Sequence, residues 1–517
     1  MLVVGAGPTG LAAANLLGRR GIACLVAERE PGIHPLPRAV HFDDEVFRVL
    51  QAAGLGAEAA AISRPILGMQ ILDAGHRVLA ELQRDPRGGL HGHPESNFFD
   101  QPALEGILRR GLARFGHVEL REGTEVEAVE QGRGDGPKPV RATLRDRASG
   151  ALREVWADAV LACDGARSRC RAFAGAAAED LRFEERWLVV DVRAPEPLRR
   201  WDGCQQLADP RRPATYVPVG GGRYRWEFML MPGDTPAEML REARVAELVA
   251  PWLGGLDPEK LEIVRRAVYT FHALVARPWR RGRLLLLGDA AHQTPPFLGQ
   301  GMCAGFRDAA NLSWKLALVL EGRAGDELLD TYEAERSPHV RRVIQMAVFL
   351  GRTMMGGGPS ARPADRLLRA ALRLPLLAKR LPKTAAPALA PGPLVLRRRW
   401  RRDGAGLPLP QPEVAQEGGA PAPFDERLGG GFAVVFVGTD PAAGLRAEDA
   451  AFWAGLAARF VPACRSDVLV RWLRAKGGSC ALVRPDRIVA AVGRSSDLPG
   501  WAAALRAAGI RPDPSPA

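Results

Sequence analysis

Three short apolar runs, far apart along the chain, each stop abruptly at glycine or aspartate. Leu2–Val4 runs into GAGPTG, the run at Leu161 runs into Asp164-Gly165, and Leu284–Leu287 runs into Gly288-Asp289. A short apolar run bounded by turn residues suits a buried strand. The first is followed by a helical pattern at Leu11–Arg19 and a second strand at Ala23–Ala27, and the third by a largely apolar helix reaching Leu320. Residues 181–275 read differently. WLVVDVRA, ATYVPV and YRWEFMLM partly alternate apolar and polar positions, as a sheet with one covered face does. The pattern divides the chain into a first α/β part at 1–180, an inserted mixed sheet at 181–275, a return at 276–350, a helical segment and Pro/Gly-rich linker at 351–424, and a last α/β unit at 425–517. In that unit the pattern predicts a strand at 432–438, a helix at 448–460, a strand at 467–473 and a strand pair within 480–493 turning at Pro485-Asp486.

The chemistry sits where the strands stop. Gly5, Gly7 and Gly10 form G-x-G-x-x-G between strand and helix, and the second strand ends at Glu28. Gly5 suits a tight turn, Gly7 a close approach of backbone to pyrophosphate, and Gly10 close helix–strand packing. The helix N-terminus offers free N–H groups to an anion, and Glu28 can accept hydrogen bonds from a ribose. In an open α/β sheet the carboxyl ends of the strands line the ligand crevice. The three run ends therefore predict one extended site, with Asp289 accepting from ligand hydroxyls and the backbone of Pro295–Met302 lying against a ring.

Composition narrows the classes. The 517 residues carry a formal charge of +12, mostly arginine scattered along the chain, with no zinc-finger spacing and no interleaved aromatic and basic platform. Nucleic acid is not an expected partner. Cys24, Cys163, Cys170, Cys204, Cys303, Cys464 and Cys480 are dispersed and form no CxxC pair, which argues against a disulfide framework and against a metal site and fits a reducing cytoplasm. No apolar run reaches the roughly 18–20 residues of a membrane span, and the N-terminus enters the glycine motif without a signal-peptide pattern. Because the first strand is short for a central one, the native N-terminus is expected upstream of Met1. The basic amphipathic stretch RLLRAALRLPLLAKR at 366–380 reads as a packed helix that Pro375 cuts short.

GxGxxG, the Asp-Gly and the Gly-Asp motifs, in this order, resemble the fingerprints of the class A flavoprotein aromatic hydroxylases, the p-hydroxybenzoate hydroxylase group. RAVHFDDEVFRVLQAAGL, YRWEFMLMPGDT, AVYTFHALVA and GQGMCAGFRDAANLSWKLALV are similar to its 3-(3-hydroxyphenyl)propionate hydroxylase-like members. The resemblance covers residues 1 to about 350 and returns near the C-terminus. It implies an α/β fold: a Rossmann-like FAD-binding domain, an inserted mixed β-sheet substrate domain and a thioredoxin-like C-terminal domain, here without CxxC and so without an assigned redox role. It implies that Gly5, Gly7, Pro8, Gly10, Glu28, Arg29 and Arg38 hold the adenosine and pyrophosphate of FAD. Gln101 would contact the flavin–ribityl region, Asp164 would lie near the pyrophosphate, Gly288 and Asp289 would hold the ribityl chain, and Gly299, Gln300, Gly301 and Met302 would face the pyrimidine edge. Position 100 is aspartate, where the family pattern has a neutral side chain or histidine.

The activity implied is hydroxylation of a phenolic small molecule by FAD, with NADPH or NADH as transient electron donor and O2 as co-substrate, through a flavin C4a-hydroperoxide. Pro295 and Pro296 would form the wall where substrate meets flavin, and Tyr216, Tyr269 and His272 are candidates for substrate contact. His292, Cys163 and Cys303 read as core residues. A tailoring oxygenase for a larger polycyclic aromatic, a flavin-dependent reductase and a non-catalytic FAD-binding protein stay open, as does homo-oligomer contact through the C-terminal domain. A flavin-dependent halogenase would need a W-x-W-x-I-P segment, which the chain lacks.

Overall fold

A computed structural model describes residues 1–132, 140–355, 386–397, 403–416, 419–463 and 466–513. The amphipathic stretch 366–380 lies outside them. Six strands form the first sheet, in the order Arg280–Arg281, Leu284–Leu286, Val160–Ala162, Leu2–Val4, Cys24–Ala27, Val118–Arg121. All but the Arg280–Arg281 edge strand run parallel. The four inner parallel strands read as near-continuous apolar runs, as strands covered on both faces do, whereas the edge strand Val118–Arg121 reads VELR and is partly exposed. Helix Pro8–Gly18 packs against Gly301–Leu320 and against Gln101–Leu112.

The second sheet has eight strands, in the order His292–Gln293, Glu262–Arg277, Ala177–Arg193, Arg223–Met229, Ala214–Gly220, Cys204–Leu207, Gly68–Leu72, Val78–Gln83. Its last two strands come from inside the segment that the sequence pattern assigned wholly to the first part. Gly68–Leu72 pairs parallel with Cys204–Leu207, so the sheet is built from two separated stretches of chain. Such a pairing leaves no local periodicity to read, because each strand looks the same whichever sheet it joins.

The C-terminal unit is a four-stranded sheet in the order Arg459–Pro462, Ala433–Phe436, Cys480–Val483, Val489–Gly493, with helices Ala447–Gly455, Asp467–Ala475 and Leu498–Ala507. The strand predicted at 467–473 is a helix. Val468, Val470 and Trp472 alternate like a strand, but Leu469 and Leu473 are the buried pair, at helical spacing, and the Ser466 side chain accepts a hydrogen bond from Leu469 N as an N-cap. Buried ion pairs clamp this unit to the rest of the molecule. Arg48 donates to both carboxylate oxygens of Asp425, at 2.7 and 2.5 Å, and to Leu409 O at 2.6 Å. Arg484 donates to both oxygens of Glu335, at 2.8 and 2.9 Å, and to Asp486 at 2.5 Å. Among the described residues no helix is long and apolar enough to cross a membrane.

Candidate active site

The carboxyl ends of the first sheet lie side by side. Val4 is in register with Ala162, and Ala162 with Leu286, so Gly5, Asp164 and Asp289 follow at one edge of the sheet. Gly5 has φ +99°, and a Cβ there would meet Cys163 O at 2.5 Å; a Cβ on Gly10 would sit 2.1 Å from Gly5 O. Both positions need glycine so that helix and strands can meet. Gly7 differs, because nothing lies within 4 Å of the place its Cβ would occupy. Its backbone faces open cleft beside the first turn of Pro8–Gly18, whose N–H groups have no partner inside the helix. The Glu28 carboxylate accepts from Ala6 N at 2.7 Å and Glu30 N at 2.9 Å, bracing the turn with acceptor capacity to spare.

Gly5, Gly7, Pro8, Glu28, Asp164 and Asp289 line one cleft of about 1710 Å³ that runs from the glycine turn to a face of the eight-stranded sheet, whereas Gly10 is buried behind the turn and does not reach it. Arg29 and Arg38 are exposed along it, Arg29 paired with Glu30 at 3.2 Å. The loop carrying Arg38 is held from both sides. Gln101 Oε1 accepts from Arg38 N at 3.0 Å and Ala39 N at 2.7 Å. Arg225, bound to Asp191 at 2.6 Å, donates to Arg38 O at 2.7 Å and Pro37 O at 2.6 Å. Gln101 lines the cleft, but its amide also donates to Glu105 at 2.7 Å, so most of its side chain is engaged in positioning that loop. Asp100 faces Arg223 at 2.9 Å, and the ion pair offsets its charge.

Asp164 accepts from Ser168 Oγ at 2.6 Å and Cys170 N at 3.0 Å, shaping the turn after its strand. Asp289 is the contrast. It is exposed to the cleft, yet its carboxylate has no hydrogen-bond or ion-pair partner among the described residues. Enclosure by surrounding protein pushes it above the usual carboxylate range, against the pull of His292, Arg38 and Arg171. Gly288 does not reach the cleft. It is buried with φ +58°, its N–H donates to Asp308 at 3.0 Å, and a Cβ there would strike Thr9 Oγ1 at 2.7 Å. Asp308 also binds His292 at 2.7 Å and Arg336 at 2.8 Å, which makes His292 a core residue bracing the turn under Asp289.

Gly299 has φ +62° and lets the chain enter helix Gly301–Leu320. Gln300 donates to Asp43 at 3.0 Å and accepts from Arg307 at 3.0 Å. Burial would raise Asp43, but Arg307, Val46 N–H and Gln300 draw it down to about 2. Gly299, Gln300, Gly301 and Met302 all line the cleft.

Where the cleft meets the second sheet, Pro296 and Phe297 form part of its wall, and Phe297 O accepts from Gln206 at 2.9 Å. Pro295 is buried behind them and does not line the cleft. Tyr269 and His272 do line it, with Arg265 over the Tyr269 ring at 5.4 Å and His272 3.7 Å from Glu184. Tyr216 does not. Its neighbours Thr215 and Val217 point into the cleft, so strand alternation sends Tyr216 to the opposite face. There it packs with Tyr224, Trp226 and Trp252 as a core residue. Residues that sequence reading missed also reach the cleft. His41 bonds Ser96 at 2.6 Å, and Gln206, Thr215 and Glu227 form a polar row on the sheet. No motif marks them, because each stands in a strand whose facing is set by its pairing and not by its own sequence. Among the described residues no group of three or more His, Cys, Asp or Glu could hold a metal, and the six cysteines are free.

Residues 1–347 match the family model described as FAD binding domain, and 406–508 match the HcaD C-terminal domain. Over 98% of its length the chain is 35% identical to 95% of the 3-(3-hydroxy-phenyl)propionate/3-hydroxycinnamic acid hydroxylase 2 of Burkholderia vietnamiensis. The chain belongs to the flavoprotein aromatic hydroxylases. Within this family it is also similar to the "Probable NADH-specific resorcinol 4-hydroxylase" of Rhodococcus jostii, with 37% identity over 99% of this chain and 95% of that one. The crystal structure of aklavinone-11 hydroxylase with FAD and aklavinone superposes with a TM-score of 0.79, 25% identity and 98% coverage of both chains. As a member of the flavoprotein aromatic hydroxylases the protein is an enzyme that uses FAD. Its residues fit that group: a backbone cradle open at Gly7, a helix N-terminus beside it, and an unpartnered carboxylate at Asp289.

Proposed function

We propose that the protein hydroxylates a small phenolic aromatic at the expense of NADH or NADPH and O2, in the cytoplasm. The observation that carries this is the single cleft, of about 1710 Å³, joining the glycine turn to the polar face of the eight-stranded sheet. Gly5, Gly7, Pro8, Glu28, Arg29 and Arg38 would hold the adenosine diphosphate end of FAD, Asp164 and Asp289 its middle, and the 299–302 backbone its ring. Bound FAD supplies the two-electron redox chemistry and the reaction with O2.

The chain supplies position, charge and dryness. The first N–H groups of helix Gly301–Leu320 place positive potential at 299–302, suited to negative charge on a bound ring. Ile66, Phe98, Val217 and Pro296 exclude water from the substrate end. Gln206 fixes the Pro296–Phe297 wall through its bond to Phe297 O. The similarity to aklavinone-11 hydroxylase over nearly the whole chain keeps a polycyclic aromatic as the second reading.

Purified protein incubated with NADH or NADPH and resorcinol, 3-(3-hydroxyphenyl)propionate or aklavinone tests this. Hydroxylated product from one of the two simple phenols is the expected result. Product from aklavinone alone selects the second reading, and product from none refutes both. For the cofactor, Asp289→Ala is expected to weaken FAD binding about 10- to 100-fold. A hydrogen bond to a charged group contributes roughly 1.5–3 kcal/mol, and each 1.4 kcal/mol is about tenfold. Quenching of flavin fluorescence on titration with apoprotein measures it, and an unchanged Kd removes Asp289 from the site.

A further inference from the structure

The polar row on the cleft face of the second sheet has two acceptors without a partner among the described residues. Gln206 pairs across the strands with Thr215, and Thr215 with Glu227. Directly opposed residues share a face, and all three line the cleft, whereas Trp226, next to Glu227, points into the opposite core. Gln206 is 1% exposed, its amide is spent on Phe297 O, and its Oε1 has no hydrogen-bond partner. Glu227 lies half-buried, and its carboxyl makes neither hydrogen bond nor ion pair with any described residue. A buried acceptor left unmatched by the protein is costly. The buried, unmatched Gln206 Oε1 and the half-buried, unpaired Glu227 carboxyl, on one row at the wall of a substrate cleft, point to a ligand that brings hydroxyl donors. They stand two strand spacings apart, about 9–10 Å, a gap that an aromatic ring with its oxygen substituents spans.

Resting on the hydroxylase reading, we propose that Glu227 is the catalytic base that takes the proton of the substrate phenol. The phenolic O–H bond breaks, the proton passes to a Glu227 oxygen, and the electron pair stays on the phenolic oxygen, making the ring a stronger nucleophile at its ortho and para carbons. The proton leaves to solvent from Glu227 in a later step. Burial raises the Glu227 carboxyl above the usual carboxylate range, the direction that suits a base working near neutral pH. The charged groups facing it are Arg225 on its own strand, Asp191 on the adjacent strand and Arg265 on the next, and the Cys204 thiol lies near it from Cys204–Leu207. Arg225 and Arg265 are both engaged with Asp191, at 2.6 and 3.0 Å, so neither neutralises Glu227 directly.

The test compares wild type, E227Q and E227D as holoenzymes with NADH or NADPH and either resorcinol or 3-(3-hydroxyphenyl)propionate. It follows hydroxylated product, peroxide, bound flavin and the pH profile of product formation. E227Q is expected to keep its flavin and to lose about 100-fold or more in hydroxylation rate, with NAD(P)H oxidation diverted to peroxide. In wild type the rate should fall as acid protonates Glu227; that limb should vanish in E227Q and shift in E227D. If wild type hydroxylates a phenol and E227Q matches its rate and acid limb, the assignment of Glu227 is wrong while the hydroxylase reading stands. If wild type hydroxylates neither phenol, the reading falls and Glu227 with it. Should E227Q shed flavin, the aspartate variant decides alone: an acid limb unshifted from wild type overturns the proposal.

Discussion

Gly10→Val is expected to yield colourless protein, with FAD affinity reduced at least about 10- to 100-fold. The would-be Cβ sits 2.1 Å from Gly5 O and 3.2 Å from Cys163 Cβ. Neither neighbour can yield. Gly5 is pinned by its own N–H bond to Ala27 O at 2.8 Å and by its approach to Cys163 O, and the obstacle is backbone rather than a flexible side-chain tip. Overpacking of this kind costs roughly 1–3 kcal/mol, here imposed on the loop that shapes the cleft. Gly7→Ala is the informative partner. Its methyl meets nothing within 4 Å, so the apoprotein should melt where wild-type apoprotein does, yet bind FAD more weakly because the methyl stands where pyrophosphate must approach. Flavin titration and thermal melts of the apo forms separate the two. Equal FAD affinity in Gly7→Ala and wild type would mean that the pyrophosphate does not lie over this turn.

The second large effect is expected far from the cleft. Glu335→Gln should destabilise the protein by about 3–5 kcal/mol, the usual cost of removing one partner from a buried ion pair. Arg484 and Lys315 are both fully buried, and Glu335 is bound to them at 2.8–2.9 Å. With glutamine, two buried cations are left to share Asp486. Burial alone would raise Glu335, but Arg484 and then Lys315 hold it down to about 2. Its folded value thus lies below its unfolded one. The stabilisation is complete above the ordinary glutamate range and is lost as pH falls from about 4.3 towards 2. Lys315 has the opposite balance: burial outweighs Glu335 and lowers it to about 8, because one carboxylate serves two cations and Arg484 takes both its oxygens. Urea unfolding midpoints of wild type and variant between pH 7 and pH 3 provide the check. The difference should be largest near neutrality and shrink in acid; a constant difference would remove Glu335 as its source.

The glycine-turn end of the cleft was legible because its signals are rigid. Gly5 and Gly10 stand where backbone geometry demands glycine, Gly7 where the turn opens on the cleft, and Asp164 and Asp289 follow apolar strands too short to be ambiguous. The end against the second sheet was not. Tyr216 and Thr215 are adjacent in a strand, and a shift of one residue exchanges the face towards ligand for the face towards core. Nothing in ATYVPV fixes that parity before the pairing with Arg223–Met229 is known. Glu227 was invisible for the same reason, as a lone carboxylate between Trp226 and Phe228. Pro295 and Pro296 read as a pair, yet only Pro296 reaches the cleft. At 467–473 local alternation competed with helical spacing, and the Ser466 cap with the buried Leu469 and Leu473 favoured the helix.

The last two strands of the second sheet, Gly68–Leu72 and Val78–Gln83, bear on how new specificities can be engineered. Residues 181–275 resemble a self-contained cassette, but excising them would leave Cys204–Leu207 without the neighbour that completes its hydrogen bonding. A graft from another hydroxylase must carry the donor's counterpart of both stretches, or the transplanted sheet will present a raw edge beside the pocket it was meant to reshape.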